Sequence, residues 1–215
     1  MHGLNSCTRG CWSSSHCVSL KLTRPIRRRC HSTADPLVSL ISFHHDQEDR
    51  NVYGYLACEL NTTLVAFVIV PEDGSLQQIG QAQSALPAGV APGGNPQDGN
   101  GRTTSEVAVS PDGRFVYVGT RGDPEEDHIA IFERQTGHGG VRFLEWIASG
   151  GRNLRHFSLS AVESGARYIS AAHQDTSNVT VLERDVQSGL LRKTGANYPG
   201  ADKVAFAGFL PRIRQ

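Results

Sequence analysis

Apolar and polar residues alternate along most of this chain with a period of two. In "SPDGRFVYVGTRG" (110–122) a turn leads into an alternating strand that closes on an arginine. Three longer segments share one plan: "VYGYLACELNTTLVAFVIVPEDGSLQQIG" (52–80), "FVYVGTRGDPEEDHIAIFERQTGHGGVRFLEWI" (115–147) and "RYISAAHQDTSNVTVLERDVQSGLLRKTG" (167–195). In each, an alternating strand ends in polar residues. A short loop, a second strand, a Gly-containing turn ("EDG", "QTG", "QSG") and a third strand follow. Alternation with β-branched and aromatic residues predicts half-buried strands, and no useful helical period is present. The step from Ala130 to Thr180 is 50 residues and that from Ala66 to Ala130 is 64. The excess matches the loop "ALPAGVAPGGNPQDGNGR" (85–102), whose Pro and Gly forbid regular structure. A repeat near 50 with several short strands per unit predicts propeller blades. In "SPDGRF", Pro111 presets φ, Asp112 can bond its own backbone and Gly113 accepts a positive φ, which predicts a tight hairpin.

Charge divides the chain in two. Basic and acidic residues balance at 21 each, but residues 1–34 hold Arg9, Lys21, Arg24, Arg27, Arg28 and Arg29 and no acid. The body from 35 to 215 therefore carries a net charge of −6. A mildly acidic body argues against nucleic acid, which needs clustered cations. The longest apolar run, "LVAFVIV" (64–70), is strand length and does not predict a membrane span. Four of the five cysteines lie in the basic head, at Cys7, Cys11, Cys17 and Cys30, and the body has only Cys58. That distribution does not suit a disulfide scaffold, and its spacing fits no paired-cysteine zinc site. The head reads as a disordered leader. Its Arg- and Ser-rich, acid-free composition also suits a mitochondrial presequence, although it lacks an apolar helical face.

The ordered series "TSEVAVSPDGRFVYVGTRG", "IAIFERQTG", "LRHF", "AAHQDTSNVTVLERDVQSGLL" resembles the lactonase family of seven-bladed propellers, over about residues 36–215. That family includes the bacterial-type 6-phosphogluconolactonase and the fungal carboxy-cis,cis-muconate cyclase. The ending "VAFAGFLP" (204–211) looks like the family's last strand. Family chains are much longer, and this one resembles their C-terminal half. The resemblance implies that Arg121 follows an inner strand and projects into a substrate funnel, with Glu59 of "ACEL" as its acidic partner. It implies that Glu106 and Gln174 contact substrate, and that Arg155 and His156 take the place of the family's Arg-His pair, with Leu154 where the family has Pro. Glu59, Arg121, Arg155 and His156 are thus the catalytic candidates, and Glu106 and Gln174 the substrate-binding ones. Five of these also have a structural reading: Arg121 paired with the acidic loop "DPEED" (123–127), Glu59 hydrogen-bonding at a strand end, Glu106 bonding loop backbone, His156 as a satisfied half-buried histidine, and Gln174 shaping a turn with Asp175.

The implied substrate is a small anionic lactone or polycarboxylate. Guanidinium groups bind carboxylate or phosphate in bidentate fashion and do not lose charge. An Arg also suits the oxyanion of lactone opening or the enolate-like charge of cyclisation, and Glu59 or His156 could move the proton. The reaction implies no cofactor and no metal. In "ADPLVSLISFHHDQEDRN" the family's Arg-His pair would fall at Ser39 and Leu40 and is absent, and His44, His45 and Asp46 read as a loop remnant. Half of the funnel wall is missing, which predicts weak or no activity alone. The expected architecture is an all-β partial propeller of about three to four blades behind a disordered leader. Its open blade faces invite self-association, so a non-catalytic half-ring or binding module is the alternative function. The implied location is the cytoplasm.

Overall fold

The computed structural model of the chain describes residues 39–93, 101–162 and 165–210. The basic head lies outside the described residues, so the readings of it as a leader or a presequence do too.

Among the described residues, twelve antiparallel strands form three four-stranded sheets. The first holds β1 (Ser39–His45), β2 (Val52–Cys58), β3 (Thr63–Ile69) and β4 (Leu76–Ser84). The second holds β5 (Thr103–Val109), β6 (Phe115–Arg121), β7 (His128–Arg134) and β8 (Val141–Ala148). The third holds β9 (Leu154–Leu159), β10 (Tyr168–His173), β11 (Asn178–Arg184) and β12 (Leu191–Tyr198). Each sheet is an up-and-down meander in sequence order. Sheets meet mainly through β1 with β5 and β5 with β9, so the first strand of each sheet is the inner one. The alternating segments of the sequence are strands two to four of each blade.

Two readings of the sequence are corrected here. Arg121 does not follow an inner strand; it is the last residue of β6, the second strand, opposite Thr103 at the start of the inner strand β5. Residues 204–210 of "VAFAGFLP" form no strand, because no strand among the described residues offers them a ladder.

The middle sheet is buried on both sides, which is why its strands read almost continuously apolar. Val116, Val118, Ala130 and Phe132 face the first sheet, packing with Tyr53, Tyr55, Leu64 and Ala66. The alternate residues Phe115, Tyr117, Ile129 and Ile131 face the third sheet, packing with Leu154, Phe157, Ile169 and Leu182. A slip of one residue would exchange the two sets, so the register is strongly specified.

A polar latch repeats between blades. Tyr55 donates its hydroxyl to the Gly139 carbonyl at 3.1 Å, and Tyr117 donates to that of Gly189 at 2.8 Å. The buried Arg134, closing β7, pairs with Asp46 in the β1–β2 turn and donates Nε to the Gly113 carbonyl at 2.5 Å. The buried Arg184, closing β11, pairs with Asp112 in the β5–β6 turn at 2.9 Å and donates Nε to the Tyr117 hydroxyl at 2.9 Å. Asp46 is therefore no loop remnant but the anion that neutralises a buried guanidinium. Glycine is required at both latch carbonyls: a Cβ would lie 2.2 Å from the Tyr53 ring at Gly139 (φ 67°) and 2.3 Å from the Phe115 ring at Gly189 (φ 74°).

Candidate functional site

The candidate residues gather at one end of the sheets, where the inner strands begin and the second strands finish. β-Bulges shape this end. The β5–β6 register shifts between Thr104 and Glu106, leaving Ser105 unpaired, and the β9–β10 register shifts so that Arg155 has no partner opposite it. An extra residue at the start of an inner strand turns the next side chain relative to the sheet. Glu106 and His156 are those next residues, at equivalent places in adjacent blades.

Arg121 and Glu59 meet as the resemblance implied. The Arg121 Nη2 donates to Glu59 Oε1 at 2.5 Å, and its Nε donates to the Thr103 hydroxyl at 3.3 Å. Each comes from the end of a second strand in neighbouring blades, so the pair spans the junction of the first two sheets. The rival pairing of Arg121 with "DPEED" is not formed: Asp123 takes Arg102 at 2.8 Å, and Glu126 takes Lys193 at 2.6 Å.

Glu106 lies 3.7 Å from His156, Oε2 to Nε2. Burial pushes the Glu106 carboxyl up to about 7, opposed only by the backbone N–H of Val107, which donates to Oε1 at 3.1 Å. Burial lowers the His156 imidazole, opposed by the Ala207 backbone. Both shifts oppose charge separation, which disfavours an ion pair at this contact. The His156 Nδ1 is buried and reaches no partner among the described residues, and its ring packs against Phe206, tilted by 32°, with centroids 4.2 Å apart. Arg155 is exposed and pairs with no carboxylate among the described residues. Gln174 follows the second strand of the third sheet and shapes the loop there: its N–H donates to the Asn153 carbonyl at 3.0 Å, and its Oε1 accepts from Asn153 Nδ2 at 3.4 Å.

Asp127 is the residue that sequence reasoning missed. It is fully buried and accepts the backbone N–H groups of Gly122 at 2.9 Å, Asp123 at 3.1 Å and Leu154 at 2.7 Å. It thus fixes the turn after Arg121 and the start of β9 at once. Burial raises its carboxyl despite those donors. Its only sequence signal was its place at the end of an acidic loop just before a strand. Beside it, the buried His173 bonds Ser149 Oγ at 2.9 Å, and burial lowers its imidazole to about 4. Both residues are sealed from solvent, so this pair is structural. Among the described residues no three His, Cys, Asp or Glu side chains converge as metal ligands would, and no helix is long and apolar enough to cross a membrane.

Comparison with known proteins agrees with this geometry. Residues 41–207 match the family described as Lactonase, 7-bladed beta-propeller. A 6-phosphogluconolactonase of Bacillus subtilis is 32% identical over 151 residues, covering 70% of this chain and 38% of the relative. One from Formosa agariphila is 31% identical over 90 residues, covering 42% of this chain and 24% of the relative. The crystal structure of a periplasmic gluconolactonase from Pseudomonas aeruginosa superposes with a TM-score of 0.60 at 27% identity, over 75% of this chain and 40% of that one. This chain thus spans about two fifths of the length of such relatives, and its three sheets account for three of the family's seven blades. Sheet order, blade repeat and sequence match together establish that the chain belongs to the seven-bladed β-propeller lactonase family.

Proposed function

We propose that this chain supplies one wall of a lactone-hydrolysing site and acts, weakly when alone, on a small anionic lactone of the 6-phosphogluconolactone type. The observation that carries this reading is the Glu106 carboxyl, raised to about 7 beside His156 at the same end of the sheets as the Arg121–Glu59 pair. A base poised near the operating pH moves protons most effectively.

In this reading Glu106, once ionised, takes a proton from water as the water oxygen bonds to the lactone carbonyl carbon. The oxyanion that forms is met by the Arg121 guanidinium, which Glu59 holds in place. The ring C–O bond then breaks, the ring oxygen takes a proton from Glu106, and the product is an open hydroxy acid. The neutral His156 ring orients the carboxyl. Arg155, free of carboxylate partners, binds the substrate's phosphate. The proton-transfer role thereby passes from Glu59, which is committed to Arg121, to Glu106. Gln174 supports the loop and does not touch substrate.

A phosphorylated sugar lactone is favoured over carboxymuconate because the relatives above are named for gluconolactone chemistry. Those relatives are bacterial, one of them periplasmic, and none bears on a mitochondrial address; we place the chain in the cytoplasm. The alternative, a half-ring that binds without turnover, is favoured by the three-of-seven blade count. Acid release from 6-phosphogluconolactone, corrected for spontaneous opening, separates the two. Turnover that falls with Glu106→Gln and needs more substrate with Arg155→Ala supports the enzyme. Binding of 6-phosphogluconate with no turnover supports the half-ring.

A further inference from the structure

One carboxylate holds both the residue after Arg121 and the residue before Arg155. Asp127 Oδ1 accepts the N–H groups of Gly122 at 2.9 Å and Asp123 at 3.1 Å, and its Oδ2 accepts that of Leu154 at 2.7 Å. Gly122 directly follows Arg121, and Leu154 directly precedes Arg155. One oxygen therefore serves the end of β6 and the other the start of β9. These strands belong to different sheets, so no ladder joins them.

The backbone of Asp127 is held as firmly. Its N–H donates to the Gly151 carbonyl at 2.8 Å, and its carbonyl accepts the Ser149 N–H at 2.7 Å and the Ser149 hydroxyl at 2.8 Å. Arg155, by contrast, has no partner opposite it in the β9–β10 ladder. Its entry to the site is set by the Leu154 amide, and that amide is set by Asp127. A buried carboxylate is costly, and this one is met by oriented backbone amides from two blades.

We propose that Asp127 is a positioning residue: it sets the span between the Arg121 and Arg155 guanidinium groups, and with it the preference for a lactone that carries a phosphate. This inference rests on the lactonase reading, in which Arg121 meets the oxyanion and Arg155 the phosphate. A ligand that bridges two cations is selected by the distance between them, and a misplacement of about 1 Å costs on the order of a hundredfold. Asp127 itself touches no substrate, since it is sealed from solvent.

Asp127→Asn separates the two arms. A carboxamide has one acceptor oxygen. That oxygen stays with the two donors of Gly122 and Asp123, and the NH2 group is set against the Leu154 N–H. Arg121 then keeps its place and Arg155 loses it.

The test compares ring opening of 6-phosphogluconolactone with that of unphosphorylated gluconolactone by the full chain. The ratio of their kcat/KM values should fall at least about tenfold in Asp127→Asn, mainly through KM for the phosphorylated lactone. In an Arg155→Ala background, Asp127→Asn should lower that ratio no further. A purely structural role slows both lactones together and leaves the ratio intact, and that result overturns the proposal. Hydrogen exchange on the wild-type chain needs no variant: 6-phosphogluconate should slow the Gly122, Asp123 and Leu154 amides together, and gluconate should not. Equal slowing by both ligands, or by neither, overturns the proposal even where Asp127→Asn fails to fold. A wild-type chain that opens neither lactone faster than buffer defeats the lactonase reading, and the exchange result then decides the role of Asp127 by itself.

Discussion

Replacing Glu106 by Gln should stabilise the protein in alkali and leave it unchanged in acid. The folded carboxyl titrates at about 7 against 4.5 for the free group. Below pH 4.5 both folded and unfolded chains hold the proton, and the side chain contributes no pH dependence. Between 4.5 and about 7 the unfolded chain releases its proton while the folded one keeps it, so stability falls as pH rises. Above 7 the loss is complete. At about 1.4 kcal/mol per pH unit, the difference is ~3 kcal/mol at most. The side chain is 20% exposed, which lowers the expected gain from Glu106→Gln to about 2 kcal/mol at pH 9. Urea unfolding of both proteins at pH 4 and pH 9 gives the difference. His173 adds a contribution of opposite sense: its depressed imidazole makes stability fall as pH drops from 6.5 toward about 4. That contribution is common to both proteins and cancels. Equal stability gaps at the two pH values would show that Glu106 is not desolvated by the third sheet, and would refute the reasoning.

Asp46→Ala strands the buried Arg134 guanidinium and should cost ~3 kcal/mol by urea unfolding; a loss below 1 kcal/mol, as at a surface pair, would show the latch to be solvated. Tyr117→Phe removes the hydroxyl that serves both Gly189 and Arg184, and should cost about 1–2 kcal/mol without shifting strand content in far-UV spectra. Glu59→Gln removes the anion from a pair that is about one fifth exposed, so stability should change by under ~1 kcal/mol while turnover of 6-phosphogluconolactone drops; the reverse pattern would make the pair purely structural.

Strands that keep the two-residue period were legible in the sequence, and those that break it were not. β2, β3, β6, β7, β10 and β11 were legible because their β-branched and aromatic residues pack one or both faces against a neighbouring sheet. The inner strands β5 and β9 carry bulges at Ser105 and Arg155, which put two consecutive residues on one face and erase the pattern. The reading of β6 as the inner strand came from the family resemblance. The repeated "ER" closing β7 and β11 was visible, but its meaning was not, since Arg134 finds Asp46 across 88 residues of sequence. Within the site, the Glu59–Arg121 pair came from family resemblance, as no local pattern joins residues 62 apart. The raised Glu106 carboxyl was illegible for a different reason: nothing in "TSEVAV" marks the acid as buried, and its desolvation arises only when the sheets pack.

The most direct test of the account is the rate of acid release from 6-phosphogluconolactone by the full chain across pH 5 to 9, beside Glu106→Gln. The account predicts opening faster than in buffer, rising with an inflection near 7, the value of the Glu106 carboxyl, and lost in the variant. A rate equal to that of buffer at every pH, or one that Glu106→Gln leaves intact, would contradict it.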